Sequence, residues 1–351
     1  MINSKWDSLY IYYISGTGNA RISSEWIIEE AACRGMKTKL ISIDKPHEIT
    51  FPGFEENSLI GFAFPTHGFN AAPIMLRFIA GFPKKTGKHI FILNTRAGMK
   101  LYKIFLPGLS GVAELMPAFL MFIKGYRCIG FRPVDLPSNW IPLHPGLRQK
   151  IVLSIFRRCE PIVRKFANRI FDGEKVYRGL LSLPVDILIS PVALGYYIGG
   201  RFFLSKTFIA SSKCNDCGLC IKECPTQSIK LVSGRPYWKL TCESCMRCLN
   251  RCPQKAIETT HGMAFLFWLA YSTFNAWIFM LIIKSTGINP ENLIWRLFTL
   301  IAGFISLIFI PAMLYRLLHL AMGNRLIRDA IRFTSLTALG FWRRYRFPGR
   351  K

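Results

Sequence analysis

Acidic residues are scarce in this chain: 20 Asp and Glu stand against 46 Lys and Arg, and the formal net charge is +26. A charge of that size speaks to partners and solubility rather than to fold, and nucleic acid, anionic lipid and acidic proteins all suit it. Its distribution argues against a nucleic-acid stripe. Residues 1–261 hold 35 basic and 18 acidic side chains, residues 316–351 hold nine and one, and the stretch between holds two and one. A basic, neutral, basic pattern around an apolar region is that of a membrane protein. Cysteine is also sparse outside one segment. Eight of the eleven lie within residues 214–252, and Cys33, Cys128 and Cys159 are scattered, which argues against a disulfide scaffold. No apolar signal core precedes the first motif, so the soluble part is expected in a reducing cytosol. No Ser/His/Asp, Cys/His or paired-carboxylate arrangement stands out, so no general acid or base is assigned; His67 is the only candidate to test.

At 351 residues the chain exceeds one ordinary core and has room for two small domains and more. Apolar runs predict strands at Leu9–Ile14, Lys39–Ile43, Leu59–Phe64, His89–Leu93 and Arg127–Phe131. Helical patterns fill most gaps, notably Asn19–Arg34 and Pro73–Ala80, and a long helix over about Leu147–Phe171 closes the region. Five strands alternating with helices predict an α/β doubly wound parallel sheet over residues 1–172. Leu106–Ile123 is expected to be a sheet-covering helix. The apolar stretch 179–204, broken by Pro184, Asp186 and Pro191, is expected to be a linker or docking segment within 173–210. A single crossing there would put residues 211–260 on the opposite side of a bilayer from residues 1–172.

Gly262–Ile283 and Leu297–Tyr315 contain no charged residue over 22 and 19 positions. At ~1.5 Å per residue these helices reach roughly 33 and 28 Å, the thickness of a hydrocarbon core. A two-helix transmembrane hairpin over 261–315 is therefore expected. Both outer flanks are more basic than the connecting loop, which places both termini and the soluble domains in the cytoplasm at the cytoplasmic (inner) membrane. In the tail, 316–351, Arg325, Arg328 and Arg332 share one helical face. With Trp342-Arg343-Arg344-Tyr345-Arg346 they suggest an interfacial segment on anionic lipid, although a solvated basic tail has the same composition.

Cys214, Cys217, Cys220 and Cys224 precede Pro225, and Cys242, Cys245, Cys248 and Cys252 precede Pro253. Each set reads C-x-x-C-x-x-C-x-x-x-C-P. Three closely spaced thiolates converge on one cubane, and the fourth reaches the other cubane when two clusters are present. Cys214, Cys217, Cys220 and Cys252 then hold one 4Fe-4S cluster, and Cys242, Cys245, Cys248 and Cys224 hold the second. Zinc needs only four ligands, usually as two pairs, and does not call for two triplets with an identical fourth spacing. Residues 211–260 resemble the bacterial two-cluster ferredoxin module, a small α+β domain.

Ser15-Gly16-Thr17-Gly18-Asn19-Ala20 follows an apolar strand and opens a helix, offering N–H groups and hydroxyls to a phosphate. A P-loop needs Gly-Lys-Ser/Thr, which is missing. The dinucleotide fingerprint fails at its third glycine, where Arg21 stands, although Asp44 sits where a ribose carboxylate would. An FMN monophosphate loop remains, with Ser15, Thr17 and Asn19 on the phosphate. Here the sequence resembles flavodoxins, and residues 1–260 resemble the fused flavodoxin and ferredoxin proteins of the EFR1 family. The resemblance extends to Phe64-Pro65-Thr66-His67-Gly68-Phe69-Asn70, to Asn94-Thr95-Arg96-Ala97-Gly98 and to Leu136-Pro137-Ser138-Asn139-Trp140. It implies FMN, with Pro65, Thr66, His67, Gly68 and Phe69 in one ring-side loop and Asn94, Thr95 and Gly98 in another, followed by Met99. Small ferredoxins and flavodoxins tend to be acidic, whereas both regions here are basic, which implies different partners.

Clusters move single electrons and a flavin holds one or two, so their union converts one-electron into two-electron chemistry. The expected function is a membrane-anchored relay between a soluble low-potential donor, two 4Fe-4S clusters, FMN and a membrane-associated acceptor, with no nucleic-acid partner. An oxidoreductase acting directly on a lipid-soluble quinone or isoprenoid, and a membrane redox or iron–sulfur sensor, are the alternatives.

Overall fold

The computed structural model describes residues 4–51, 53–84, 87–287, 289, 291–345 and 347. The chain forms two compact units that do not follow chain order. The first comprises residues 1–197, 245–250 and 343–351, and the second residues 198–244 and 251–342. The boundaries read from sequence at 172, 210, 260 and 315 divide the chain consecutively. In the fold, six residues of the cysteine-rich segment and the end of the tail belong with the N-terminal sheet.

The first unit contains β1 (Ser8–Tyr13), α1 (Asn19–Cys33), β2 (Lys37–Ser42), β3 (Ser58–His67), β4 (Asn70–Ala71), α2 (Pro73–Gly81), β5 (His89–Leu101), β6 (Ile104–Leu106), α3 (Leu115–Ile123), β7 (Arg127–Pro137), α4 (Gln149–Phe171), β8 (Val176–Tyr177) and α5 (Leu183–Gly195). The sheet order is β2-β1-β3-β5-β7-β8, with β4 and β6 paired at the sides of β3 and β5. Neighbours along the main path are parallel. Over the five long strands this is the flavodoxin-like order 2-1-3-4-5. The first seven residues of β3 are buried, as expected of a central parallel strand covered on both faces. The edge strand β2 exposes Lys37, Thr38 and Lys39, which discourages pairing with another chain. One face of the sheet packs an aromatic core of Tyr12, Phe62, Phe78 and Phe82. On the other, α1 and α4 are tied by Arg164, which reaches Glu29 at 2.6 Å, Glu30 at 2.9 Å and Glu160 at 2.8 Å.

Two expectations fail here. Asn94–Gly98 is not a loop: β5 continues to Leu101, paired with β7 as far as Gly98 opposite Pro137. Its polar side chains find partners across the sheet edge, so polarity alone misplaces the strand end. Leu106–Ile123 is helical only from Leu115 onward, because Ile104–Leu106 turns back on β5 as β6.

Arg178–Ser205 forms one helical run of 28 residues, long and apolar enough to cross a membrane, where the sequence suggested a linker. It passes through a 3₁₀ turn, α5, a π turn at Tyr196–Gly200 and α6 (Arg201–Ser205). Asp186, whose charge interrupts the apolar run, is only 4% exposed. Its carboxylate accepts the N–H groups of Ser110 at 3.2 Å and Gly111 at 2.7 Å and the Ser182 hydroxyl at 2.6 Å, and so pins α5 to the loop before α3.

Beyond α6 come β9 (Phe208–Ala210), α7 (Leu219–Lys222), β10 (Ile229–Val232), β11 (Arg235–Trp238), α8 (Arg247–Arg251), β12 (Ile257–Thr259), α9 (His261–Thr286), α10 (Leu293–Ala321) and α11 (Arg325–Phe333). Within the second unit β9 pairs with β12, and β10 pairs with β11 around Ser233 and Gly234, both at positive φ as a two-residue hairpin turn prefers. The expected spans lie inside α9 and α10, each of which is long and apolar enough to cross a membrane. Polar contacts hold this helical pair together: Tyr271 donates to the Gly303 carbonyl at 3.2 Å, and Ser306 donates to Asn275 at 2.8 Å. Near the end of α10 the buried Tyr315 donates to the Phe208 carbonyl at 3.0 Å, and His319 meets the Val232 carbonyl at 3.1 Å. The helical pair is thereby seated directly on the small strands of the same unit.

Candidate functional site

The eight clustered cysteines form no disulfide. Their two loops repeat one backbone plan. Asp216 and Gly218 take positive φ two and four residues after Cys214, and Ser244 and Met246 do the same after Cys242. Gln227 and Lys255 are the matching left-handed residues, three beyond Cys224 and Cys252. Four residues beyond those same cysteines, Ser228 donates its N–H to Cys224 Sγ at 3.2 Å and Ala256 donates to Cys252 Sγ at 3.3 Å. Left-handed turns aim successive N–H groups inward, and N–H donors to sulfur stabilise the charge of a thiolate-ligated cluster. Cys220 is pushed up to about 11 by burial and by Cys214 and Cys252, and Cys214 is raised by burial and by Asp216, with Cys252 adding to it. Cys252 therefore lies beside thiols of the first motif, as the exchange of fourth ligands requires. The donor chemistry fits a 4Fe-4S cluster.

The expected second set is placed differently. Cys242 and Cys224 belong to the second unit, whereas Cys245 and Cys248 fold as part of the first. A further residue near this set, with no sequence signal, is Lys206 at the end of the long apolar run. It is 1% exposed, donates to the Trp238 carbonyl and lies over the Tyr315 ring at 4.9 Å. Burial pulls its ammonium down to about 8, opposed by the Cys242 thiolate.

The phosphate loop leaves β1 at its C-terminal end, where the strand order reverses between β1 and β3, the usual position of a ligand crevice. Gly18 sits at φ 104°, a left-handed conformation that suits glycine and starts α1. Among the described residues, the N–H groups of Gly16, Thr17, Asn19 and Ala20 have no acceptor. These donors at a helix start fit a phosphate. Ser15 Oγ accepts the Gly18 N–H at 3.1 Å and Thr17 Oγ1 accepts the Asn139 amide, and each hydroxyl keeps its own O–H for a phosphate. Asn19 instead donates to the Pro137 carbonyl at 3.0 Å.

Other segments of the same unit press on this loop. A Cβ on Gly16 would lie 2.3 Å from the Cys245 carbonyl oxygen, and one on Gly18 would lie 2.7 Å from the Phe347 ring. Arg247 donates to the Ser15 carbonyl at 2.7 Å and to both carboxylate oxygens of Asp44, at 2.8 and 3.0 Å. Asp44 is therefore the counter-ion of Arg247. Tyr345 donates to Asn19 Oδ1 at 2.6 Å and its own N–H donates to Asn250 Oδ1 at 2.9 Å, while the Gly146 N–H donates to the Arg343 carbonyl at 2.7 Å and Arg343 Nε donates to the Gly146 carbonyl at 3.0 Å. The tail segment assigned to a lipid interface thus places Arg344 and Tyr345 in the interior of the first unit, at 8% and 2% exposure.

On the ring side, β3 runs on to His67 and turns through Gly68 and Phe69, both at positive φ, into β4. Pro65 pairs with Thr95 in the sheet, and Asn94 donates to Thr66 at 2.9 Å and to Ser110 at 3.1 Å. These residues do converge at one sheet end. Arg96 bonds Asp135 at 2.6 Å and reaches Ser110 Oγ at 3.4 Å. Gly68 is covered by the Tyr196 ring, which also packs on Trp140. The Phe69 carbonyl accepts the Val112 N–H at 3.0 Å, Gly98 lies against the Asp135 backbone, and Met99 is partly exposed. Burial pulls His67 down to about 4, which keeps its imidazole neutral. Glu114, which sequence reasoning passed over, is 3% exposed and pushed up to about 8 by burial, so it is predominantly protonated at neutral pH.

A 4Fe-4S dicluster domain model matches residues 213–257. No curated protein matches the chain. Among solved structures, a flavodoxin from the domain Archaea shows 14% identity over 46% of this chain and 99% of its own, with a TM-score of 0.29. Oxidised Flavodoxin 1 from Bacillus cereus shows 15% identity over 46% and 97%, with a TM-score of 0.30. Smu.1420 from Streptococcus mutans UA159 shows 12% identity over 45% and 99%, with a TM-score of 0.26. Strand order, rather than these distant likenesses, carries the fold assignment. The chain joins a flavodoxin-like parallel sheet to a 4Fe-4S ferredoxin domain and to helices long and apolar enough to span a membrane.

Proposed function

We propose that this protein is a membrane-anchored electron carrier with two 4Fe-4S clusters and an FMN site, related to the EFR1-type fusions, which links one-electron to two-electron chemistry. The observation that carries the proposal is the duplicated cysteine loop, with matching left-handed residues and matching N–H donors to Cys224 and Cys252. When bound, the clusters pass single electrons and the flavin accumulates two. Cys214, Cys217, Cys220 and Cys252 hold one cluster, and Cys242, Cys245, Cys248 and Cys224 the other. The free N–H groups of Gly16, Thr17, Asn19 and Ala20 hold the flavin phosphate. Pro65–Phe69 and Asn94–Gly98 border the ring. A neutral His67 adds no positive charge there, and Glu114 can give up or take a proton near neutral pH.

Several contacts support the membrane arrangement. Tyr345, after α10, bonds Asn19, before α9, so the chain between them crosses a bilayer an even number of times. Two spans, α9 and α10, satisfy this. A full crossing by Arg178–Ser205 does not fit, because Asp44 before it and Arg247 after it form one ion pair. That run exposes Leu181, Ile187 and Leu188 and lies along the lipid surface instead. Both termini face the cytoplasm, beside anionic lipid bound by Arg325, Arg328 and Arg332. A soluble low-potential protein donates electrons, and a membrane-associated redox partner accepts them. The test is anaerobic purification in detergent, with iron, sulfide and flavin counted per chain and followed by potentiometric titration. About eight irons and one FMN are expected; zinc in place of iron refutes the proposal.

A further inference from the structure

The two cysteine sets are alike in sequence and unlike in surroundings. Cys214, Cys217, Cys220 and Cys252 all lie in the second unit, while the stretch from Cys245 to Asn250 is built into the first. There it meets the phosphate loop through two direct contacts and a third made through Tyr345. The Cys245 carbonyl leaves no room for a side chain at Gly16. Arg247, 7% exposed, joins Asp44 in a two-point ion pair and reaches the Ser15 carbonyl. Asn250 accepts the Tyr345 N–H, and Tyr345 in turn bonds Asn19. Asp44 follows β2 and Ser15 follows β1, so a single guanidinium locks two sheet-end loops to one cysteine loop. A planar fork suits this task, whereas a lysine supplies one point of charge.

We infer that the loop of Cys245 and Cys248 is the flavin-side cysteine loop, and that Arg247 is the positioning residue that fixes it against the phosphate loop. The inference rests on the proposed relay and adds its internal order. With clusters and flavin bound, the loop of Cys245 and Cys248 would be the one that hands single electrons to the flavin site. By reciprocity, whatever tightens the phosphate loop also steadies the second cysteine loop.

The experiment uses the full chain in detergent, with Arg247→Ala, Arg247→Lys and Asp44→Asn. Amide hydrogen exchange of residues 15–20 and the reduction potential of each cluster, resolved by electron paramagnetic resonance, are the readouts. In Arg247→Ala, exchange of the loop is expected to rise about tenfold or more, because a buried charge-assisted contact is lost. One cluster's potential shifts while the other's is unchanged, and FMN affinity falls. Asp44→Asn moves all three in the same direction by less, and Arg247→Lys restores part of the loss. The unchanged first cluster reports that the variant is folded. Unaltered loop exchange, or equal disturbance of both clusters, overturns the inference. Wild-type protein that loads both clusters and takes up no FMN defeats the flavin part of the proposed function, while loop exchange and the single-cluster shift still decide the role of Arg247.

Discussion

Removal of one hydroxyl should loosen the C-terminal arm from the phosphate loop. Tyr345 donates to Asn19 Oδ1 at 2.6 Å, and the two residues are 2% and 6% exposed, so water cannot readily replace either partner. Burial pushes the Tyr345 phenol well above its ordinary range, which keeps it a donor at any working pH. Tyr345→Phe preserves the buried ring and strands the amide oxygen, a loss of about 1–3 kcal/mol. At ~1.4 kcal/mol per decade, the opening equilibrium of the arm rises roughly 5- to 150-fold. Amide exchange of Arg343–Tyr345 measures that opening directly, and exchange of Asn19 and Ala20 reports the loop. In an Asn19→Ala background the same substitution should cost less than about 0.5 kcal/mol, because the acceptor is already gone. Full additivity of the two changes would refute the claim that this bond ties arm to loop.

Acid should destabilise the first unit through His67. Its folded value of about 4 lies below the ordinary 6.5, so the unfolded chain binds the extra proton between those values and stability falls as pH drops from 6.5 to 4. The full loss is roughly 3 kcal/mol, and His67→Gln should flatten that part of the pH profile in a thermal-shift assay. Cys220→Ser should remove the first cluster and leave spin coupling between the second cluster and a reduced flavin, whereas Cys248→Ser should remove that coupling. In a background without other reactive thiols, cysteines placed at Leu188 and Ile187 should resist a water-soluble maleimide in membranes and react in detergent. Asp172→Cys and Lys213→Cys should react from the same side of the bilayer, and labelling from opposite sides would restore a crossing by Arg178–Ser205.

The parallel sheet was legible because buried strands leave continuous apolar runs: Leu59–Phe64 falls within β3, and Arg127–Phe131 within β7. Strand ends were not legible where polar residues are paired across the sheet. Asn94 finds Thr66 and Ser110, and Arg96 finds Asp135, and neither pairing leaves a local trace. The cysteine loops could be read from spacing alone, since cluster ligation is a local geometric demand. Arg247 and Asp44 could not, because 203 positions separate them and because Asp44, at the end of the second strand, suggested a ribose ligand rather than a counter-ion. Arg344 and Tyr345 misled for a related reason; Arg346, which belongs to the same run, lies outside the described residues. Basic and aromatic residues are what a lipid interface selects, and they are also what an arm needs in order to bury a ring and make hydrogen bonds.

The unlike placement of the two cysteine sets bears on where electrons enter. Reduction potentials of 4Fe-4S clusters respond to N–H donors, net charge and solvent exposure. The outermost donors are nearly matched, at 3.2 Å for Cys224 and 3.3 Å for Cys252, so hydrogen bonding to these sulfurs does little to separate the two clusters. Local charge does not separate them either, because Asp44 pairs with Arg247 and because Arg235 feels the Cys214 thiolate much as Lys206 feels that of Cys242. Solvent exposure differs. Cys217 is open to solvent, whereas Cys242 is buried at 8% exposure, so a soluble donor would approach the first set.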